Sequence, residues 1–121
     1  MTIQKVSVAG KLELIDQLWT PKIVAEVNDT HVKLAKVHGD LVWHSHAEED
    51  ELFLVVRGRL TLELRDGSVT LEPGEMVVIP RGVEHRPVAE EETHILLIEK
   101  KGIRHTGDVV EARTVSEYEW I

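Results

Sequence analysis

Apolar positions recur at period two along most of this chain, the spacing of a strand whose alternate side chains share a face. The clearest case is Leu60-Thr61-Leu62-Glu63-Leu64, a half-buried strand. Asp66-Gly67 then signals a hairpin, Val69 and Leu71 form the return strand, and Pro73-Gly74 makes another turn. Met76–Ile79 is a strand closed by Pro80-Arg81-Gly82, and Thr93–Glu99 is the last clear one. Upstream, Lys22–Val27 is short and partly alternating, with Asn28-Asp29 as its turn. In the next strand Val32, Leu34 and Lys36 fall on one face and Lys33, Ala35 and Val37 on the other, until Gly39-Asp40 breaks it. Leu41–His46 reads as extended. In Glu51–Val56, Phe53 and Val55 share the Glu51 side, and Leu52, Leu54 and Val56 take the other. A strand with so little polar surface is buried on both sides, in its own core and against a second layer or subunit.

Helical spacing occurs once. Leu12, Ile15 and Leu18 predict a short N-terminal helix over Ala9–Leu18, which Pro21 stops. About eight strands with closely spaced turns predict an all-β fold, a single antiparallel β-barrel or jelly roll carrying that short helix. A sandwich is the alternative. No repeat, low-complexity tract or linker divides the chain, so residues 1–121 read as one domain with a barrel core at about 22–100. No element is assigned over Val109–Ile121.

Composition narrows the chemistry. A chain of 121 residues buries roughly two-thirds of its unfolded surface, enough for one core. Cysteine is absent, which removes disulfides and thiolate metal sites. The N-terminus lacks the charged start and long apolar core of a secretory signal, and no apolar run approaches bilayer length, so a cytoplasmic protein is expected. Asp and Glu number 22 against 14 Lys and Arg, a net charge of −8. That balance opposes nucleic-acid and anionic-membrane partners, because no stripe of cations can displace phosphate counterions. The acidic runs Glu48–Glu51 and Glu90–Glu92 read as solvated loop charge, Glu51 excepted.

Glu51 is excepted because of what precedes it. His44 and His46 are two apart in an extended run, so both imidazoles face one way, and Glu51 follows. Two imidazoles and a carboxylate on one face form a recurrent divalent-metal recipe. Asp50 is the other candidate for the carboxylate; Glu51 is preferred because its face also carries Phe53 and Val55, an apolar lining. His85, just after the rigid Pro80-Arg81-Gly82 turn, is the candidate fourth ligand. His31, His38, His94 and His105 stand alone and read as surface or hydrogen-bonded histidines. Trp43 points opposite to His44, outward, for packing against another layer or a partner subunit. Arg57, Arg59, Arg81 and Arg86 are either solvated or placed to meet an anionic substrate. No Ser-His-Asp order, phosphate-cradling loop or nucleotide fingerprint is present; Gly102–Gly107 lacks the strand-to-helix context of one.

His44-x-His46-x4-Glu51-x6-Gly58 resembles the first motif of the cupin family, and Gly74-x5-Pro80-x-Gly82-x2-His85 resembles the second. The likeness is to small single-domain cupins of the cupin 2 type. Two departures stand out: Gly39 lies one residue nearer His44 than the glycine that usually opens the first motif, and Ala89 replaces the asparagine that often closes the second. The resemblance implies a jelly-roll barrel with metal ligands His44, His46, Glu51 and His85 around one divalent transition ion, with positions open for water or substrate. Three imidazoles and one carboxylate suit iron, manganese, nickel, zinc or copper. It further implies a metal-dependent enzyme of isomerase or dioxygenase type on a small polar or anionic metabolite, with Glu84 as the candidate catalytic proton carrier. The alternative is a non-catalytic module that binds a small ligand. A homodimer is expected, from the doubly apolar strand, the outward Trp43 and the likeness to small cupins.

Overall fold

The computed structural model describes residues 2–107, 109–115 and 117–121. They form one short helix, α1 (Val8–Leu12), and seven strands: β1 (Lys22–Val27), β2 (Thr30–Asp40), β3 (Glu51–Arg57), β4 (Leu60–Leu64), β5 (Gly67–Leu71), β6 (Met76–Ile79) and β7 (His85–Lys100). No helix among them is long and apolar enough to cross a membrane.

β7 organises the sheet. One edge pairs with β2 along almost its full length, from Asp40 opposite Val88 to Thr30 opposite Lys100. The other edge is shared in succession, first by β4, opposite His85 to Val88, and then by β3, opposite His94 to Ile98. All these pairings are antiparallel; β1 extends the sheet beyond β2, β6 beyond β3, and β5 pairs with β4. Changing neighbours midway requires a bend, and β7 supplies it. Val37 opposes Thr93 whereas Gly39 opposes Ala89, so β7 carries extra residues at the exposed run Glu90–Glu92. A bulge of this kind lets one strand serve two sheet faces.

Gly58 shows how tightly the bend is held. It turns β3 into β4 at φ 91°, and a Cβ there would stand 2.5 Å from the Thr93 hydroxyl oxygen and 3.0 Å from Thr93 Cα. The Thr93 hydroxyl accepts from Arg59 N–H at 3.2 Å and donates to the Arg59 carbonyl at 3.0 Å. Only glycine lets the β3–β4 turn approach the bend this closely.

Alternation sorts the side chains. Ala35, Val37, Phe53, Val55, Leu60, Leu62, Ile95 and Leu97 fill the interior, each fully buried side chain of Val or Leu size contributing about 1.5–3 kcal/mol. On the outer face Leu12 and Ile15 cover Val24 and Leu34, with Val32, Val56 and Leu96 packed beside them. The expected double burial of β3 is therefore met inside, while outside only Val56 joins this cluster and Leu52 and Leu54 stay half-buried.

Three local expectations are corrected. The helix spans Val8–Leu12 rather than Ala9–Leu18: the Ser7 hydroxyl caps it by accepting Gly10 N–H at 3.0 Å, and Trp19 pulls the following chain elsewhere. Trp19 donates its backbone N–H to Lys36 O at 2.8 Å and its indole N–H to His38 O at 2.9 Å, so pairing beside β2 overrides helical propensity. Leu41–His46 is not a strand; only His44 makes a bridge, to His85. The last strand begins at His85 rather than Thr93, its first half disguised by Pro87 and the glutamate run. The chain beyond Gly102 has no helix or strand among the described residues, yet it docks. Ile23 N–H donates to Glu119 O at 2.8 Å and Ile121 N–H to Ile23 O at 3.1 Å.

Gly58→Ala is expected to destabilise the fold by roughly 2 kcal/mol or more, since it meets both a left-handed φ and Thr93. Gly74→Ala, at φ 84° with nothing within 4 Å, should lose only the backbone contribution, about 1 kcal/mol. Urea unfolding of the two variants measures the difference; equal losses would show that the Thr93 contact is unimportant.

Candidate metal centre

Two distant segments are tied together by backbone before any side chain takes part. His44 N–H donates to His85 O at 3.0 Å and His85 N–H to His44 O at 2.9 Å. Gly82 N–H donates to His46 O at 2.8 Å, and Val83 N–H closes the preceding turn onto Pro80 O at 3.2 Å. β3 brings Glu51 in from the side, because its inward positions are Glu51, Phe53 and Val55. Asp50 turns the other way and accepts Arg81 N–H at 2.9 Å, so Glu51 is the carboxylate that faces the histidines.

The result is a compact cluster. Ring centroids lie 4.4 Å apart for His44 and His85, 5.3 Å for His44 and His46 and 5.9 Å for His46 and His85. Glu51 Oε1 is 3.2 Å from His46 Nε2 and 3.4 Å from His85 Nε2. One nitrogen or oxygen from each of His44, His46, Glu51 and His85 lies within 4.8 Å of all the others. All four side chains are buried, and Phe53 meets the His85 ring edge-on at 6.0 Å.

Hydrogen bonding fixes what the cluster offers. His44 Nδ1 donates to Val42 O at 2.9 Å and His85 Nδ1 to Val83 O at 3.0 Å, which leaves each Nε2 with a lone pair turned inward. Among the described residues, the three Nε2 atoms and Glu51 Oε1 have no aligned hydrogen-bond partner. A buried polar atom left so costs about 1–3 kcal/mol. The donor set therefore fits a divalent cation, which would satisfy all four at once.

The charge states agree. Burial lowers the His44 pKa to about 4, the Val42 hydrogen bond opposing and the neighbouring His85 reinforcing the shift. Burial alone would push the Glu51 carboxyl up, but His46 and His85 outweigh it and hold the group well below the usual range. A neutral His44 and an ionised Glu51 are the protonation states a metal ligand requires.

Behind this cluster lies a second set of buried polar residues: Lys33 and Glu99, for which the sequence predicted no role, and His105, expected as a surface or hydrogen-bonded histidine. Lys33 and Glu99 are buried, with Lys33 Nζ donating to Glu99 Oε1 at 2.8 Å and sitting 3.7 Å from the Tyr118 ring centroid. Burial and the adjacent Glu51 charge push the Glu99 carboxyl well above the usual range, against Lys33. His105 is buried too, its pKa lowered to about 4 chiefly by burial. For two of these the pattern carried a signal: Lys33 shares a face with Ala35 and Val37, and Glu99 with Ile95 and Leu97.

The other expected residues lie outside the cluster. Glu84 is exposed and pairs with Arg65 at 3.2 Å; the structure does not bring it to the four ligand atoms. Trp43 is half-buried, and the guanidinium of Arg65 covers its ring at 3.8 Å. His31, His38 and His94 are hydrogen-bonded to Glu26, the Glu90 carbonyl and Glu92. Arg59 pairs with Glu72, Arg86 with Glu63 and Asp40, and Arg57 and Arg81 are exposed. Two spaces adjoin the cluster: a small cavity of ≈ 20 Å³ lined by Glu51, Phe53, Leu97 and His105, and a groove of ≈ 390 Å³ between His46–Glu49 and Gly102–Gly107.

Comparison with known proteins gives the same picture. The family model described as cupin domain matches residues 30–99. A cupin-2 domain containing protein from Shewanella frigidimarina is 48% identical, with a TM-score of 0.79 over 79% of this chain and 94% of that one. Protein NMB1881 from Neisseria meningitidis is 32% identical, with a TM-score of 0.74 over 81% of this chain and all of its own. The protein YdbB of Bacillus subtilis is 37% identical over 79 residues, 64% of this chain and 70% of YdbB.

The lowered pKa values give a pH dependence. Above about pH 6.5 the His44 and His105 rings are neutral whether folded or unfolded; below it the unfolded chain takes up protons that the folded rings refuse until about pH 4. Both therefore remove stability from the metal-free protein as the pH falls from about 6.5 to about 4, while Glu99, shifted upward, opposes them. Urea unfolding across this window is expected to show a shallower pH dependence in His105→Leu than in the wild type. An unchanged slope would show that the His105 ring is not shielded from protons in the folded state.

Proposed function

Because the chain belongs to the cupin domain family, we propose that His44, His46, Glu51 and His85 hold one divalent transition metal and that the protein is a metal-dependent enzyme acting on a small polar or anionic metabolite. The observation that carries this reading is the convergence of four buried ligand atoms within 4.8 Å, none with an aligned partner among the described residues. Iron, manganese, nickel, zinc and copper all suit the set. When bound, the ion supplies Lewis-acid polarisation of a ligand oxygen, for isomerisation, or a redox centre for dioxygen chemistry.

The chain's own residues do the rest. The Val42 and Val83 carbonyls orient the His44 and His85 rings, so that their Nε2 atoms stay aimed at the ion. Phe53 and Leu97 line the small cavity beside Glu51 and give it an apolar wall. The groove beside His46 carries Glu48, Glu49 and Arg104, a polar entry suited to a hydroxylated or charged ligand. The protein acts in the cytoplasm as a homodimer. Support for the dimer comes from the outer face, where Met76 and Val78 are exposed at 56% and 48% beside half-buried Leu52 and Leu54.

Untagged protein reconstituted with each metal in turn is expected to hold about one ion per chain by elemental analysis. His46→Ala and His85→Ala should each lower occupancy at least about tenfold at limiting metal, whereas His31→Ala should not. Equal occupancy in the three variants would refute the ligand assignment, and a chain that stays metal-free would refute the centre itself. Oxygen consumption by the Fe(II) form against a substrate panel separates the two reaction classes. Light scattering at micromolar concentration should give twice the chain mass; a monomer mass would refute the dimer.

A further inference from the structure

One buried ring on the wall of the small cavity beside Glu51 is not among the four candidate ligands. His105 belongs to the C-terminal segment, lies outside every strand and is 6% exposed. It lines the ≈ 20 Å³ cavity with Glu51 and Phe53. On one side, Tyr118 Oη accepts the His105 backbone N–H at 2.6 Å and lies 3.4 Å from Nδ1 of the ring. Having accepted that N–H, the hydroxyl can turn its own proton to Nδ1, which leaves the ring hydrogen on Nε2, with the Arg113 backbone carbonyl as the other acceptor near the ring. Nε2, on the far edge of the ring, is buried without a partner among the described residues. The support is itself braced: the Lys33 ammonium sits 3.7 Å from the Tyr118 ring centroid and is fixed by Glu99 at 2.8 Å.

We propose that His105 is the ligand-reading residue of this site, its Nε2–H donating to an oxygen or anionic atom of a small ligand held beside Glu51. Tyr118 and Lys33 are positioning residues that fix the tautomer and orientation of the ring. This rests on the metal-centre reading above and names the group that meets the metal's ligand. The cavity is about the size of one water, so the atom read there is a single oxygen or nitrogen of a hydroxyl, carboxylate or small anion. The rest of a larger ligand lies in the groove beside His46. Burial keeps His105 neutral at pH 7, so the ring selects by hydrogen bonding rather than by charge. The C-terminal segment is thus part of the site.

The test uses the full chain loaded with cobalt(II), with azide as the probe and visible absorption as the readout at pH 7. Cobalt content is expected to be about one per chain in wild type and in His105→Leu, while azide binds His105→Leu about 3- to 10-fold more weakly, the loss of one hydrogen bond. His105→Gln, which keeps an N–H donor, should recover part of that loss. Tyr118→Phe keeps the ring over Lys33 and removes only the hydroxyl; it should weaken azide about twofold or more. Unchanged azide affinity in His105→Leu at full cobalt content would overturn the proposal. Loss of cobalt from that variant would overturn it as well, by making the ring a support of the centre. If His105→Leu does not fold, Tyr118→Phe decides, and wild-type azide affinity there overturns it. A wild type that takes up no cobalt removes the metal-centre reading, and this one falls with it.

Discussion

His44 and His85 exchange both backbone N–H···O=C bonds, and Gly82 adds a third to His46, joining an irregular segment after β2 to the turn that opens β7. Each such bond contributes only about 1 kcal/mol net. Their consequence is geometric rather than energetic. Antiparallel exchange fixes the register of the two segments, and with it the 4.4 Å separation of the His44 and His85 rings. With the Nδ1 protons committed to the Val42 and Val83 carbonyls, the rings have little rotational freedom left, and the inward lone pairs follow from the backbone. β3 then has only to deliver Glu51, which its alternation does without a special turn.

Placing this cluster inside a small barrel concentrates charge where charge is expensive. Glu51 and Glu99 lie on neighbouring strands with Lys33 beyond Glu99, so two carboxylates and one ammonium share the same end of the interior. Both carboxylates cannot be ionised there without a further cation nearby. The metal-free chain resolves this by lowering Glu51 and raising Glu99. A divalent ion at the four ligand atoms would relieve the same conflict from the other side. A bound ion would thereby act on the protonation of Glu99 through Glu51, although Glu99 is not one of the four.

The sequence makes some of this readable and hides the rest for identifiable reasons. His44, His46 and Glu51 stand at period two or beside a strongly alternating strand, and the Pro80–Gly82 turn marks His85, so local spacing alone exposes the cluster. Asp50 and Glu51 could be told apart only by which face Phe53 and Val55 occupy. Lys33 and Glu99 were equally well placed by alternation, but charged residues default to solvent, and only the 2.8 Å contact between two strands far apart in sequence makes their burial tolerable. The helix end and the start of β7 were missed because long-range partners decide them: Lys36 and His38 for Trp19, and Leu64 to Thr61 for the Pro87 stretch. His105 and Tyr118 had no periodicity to betray them.

That division separates two kinds of information. The four candidate metal ligands come from the barrel and its turns, which follow general rules of alternation and turn chemistry, and a barrel of this kind can serve many reactions. The groups proposed to meet a ligand come from the segment after Gly102, which is held to the barrel by one isolated bridge, Ile23 to Trp120, and by contacts such as Tyr118 to Lys33 rather than by a paired strand. Such a segment can change its residues without disturbing the sheet register that fixes the ions' ligands. The geometry of the four-residue cluster is thereby insulated from changes in the groups proposed to meet a ligand, which lie in the least regular part of the chain.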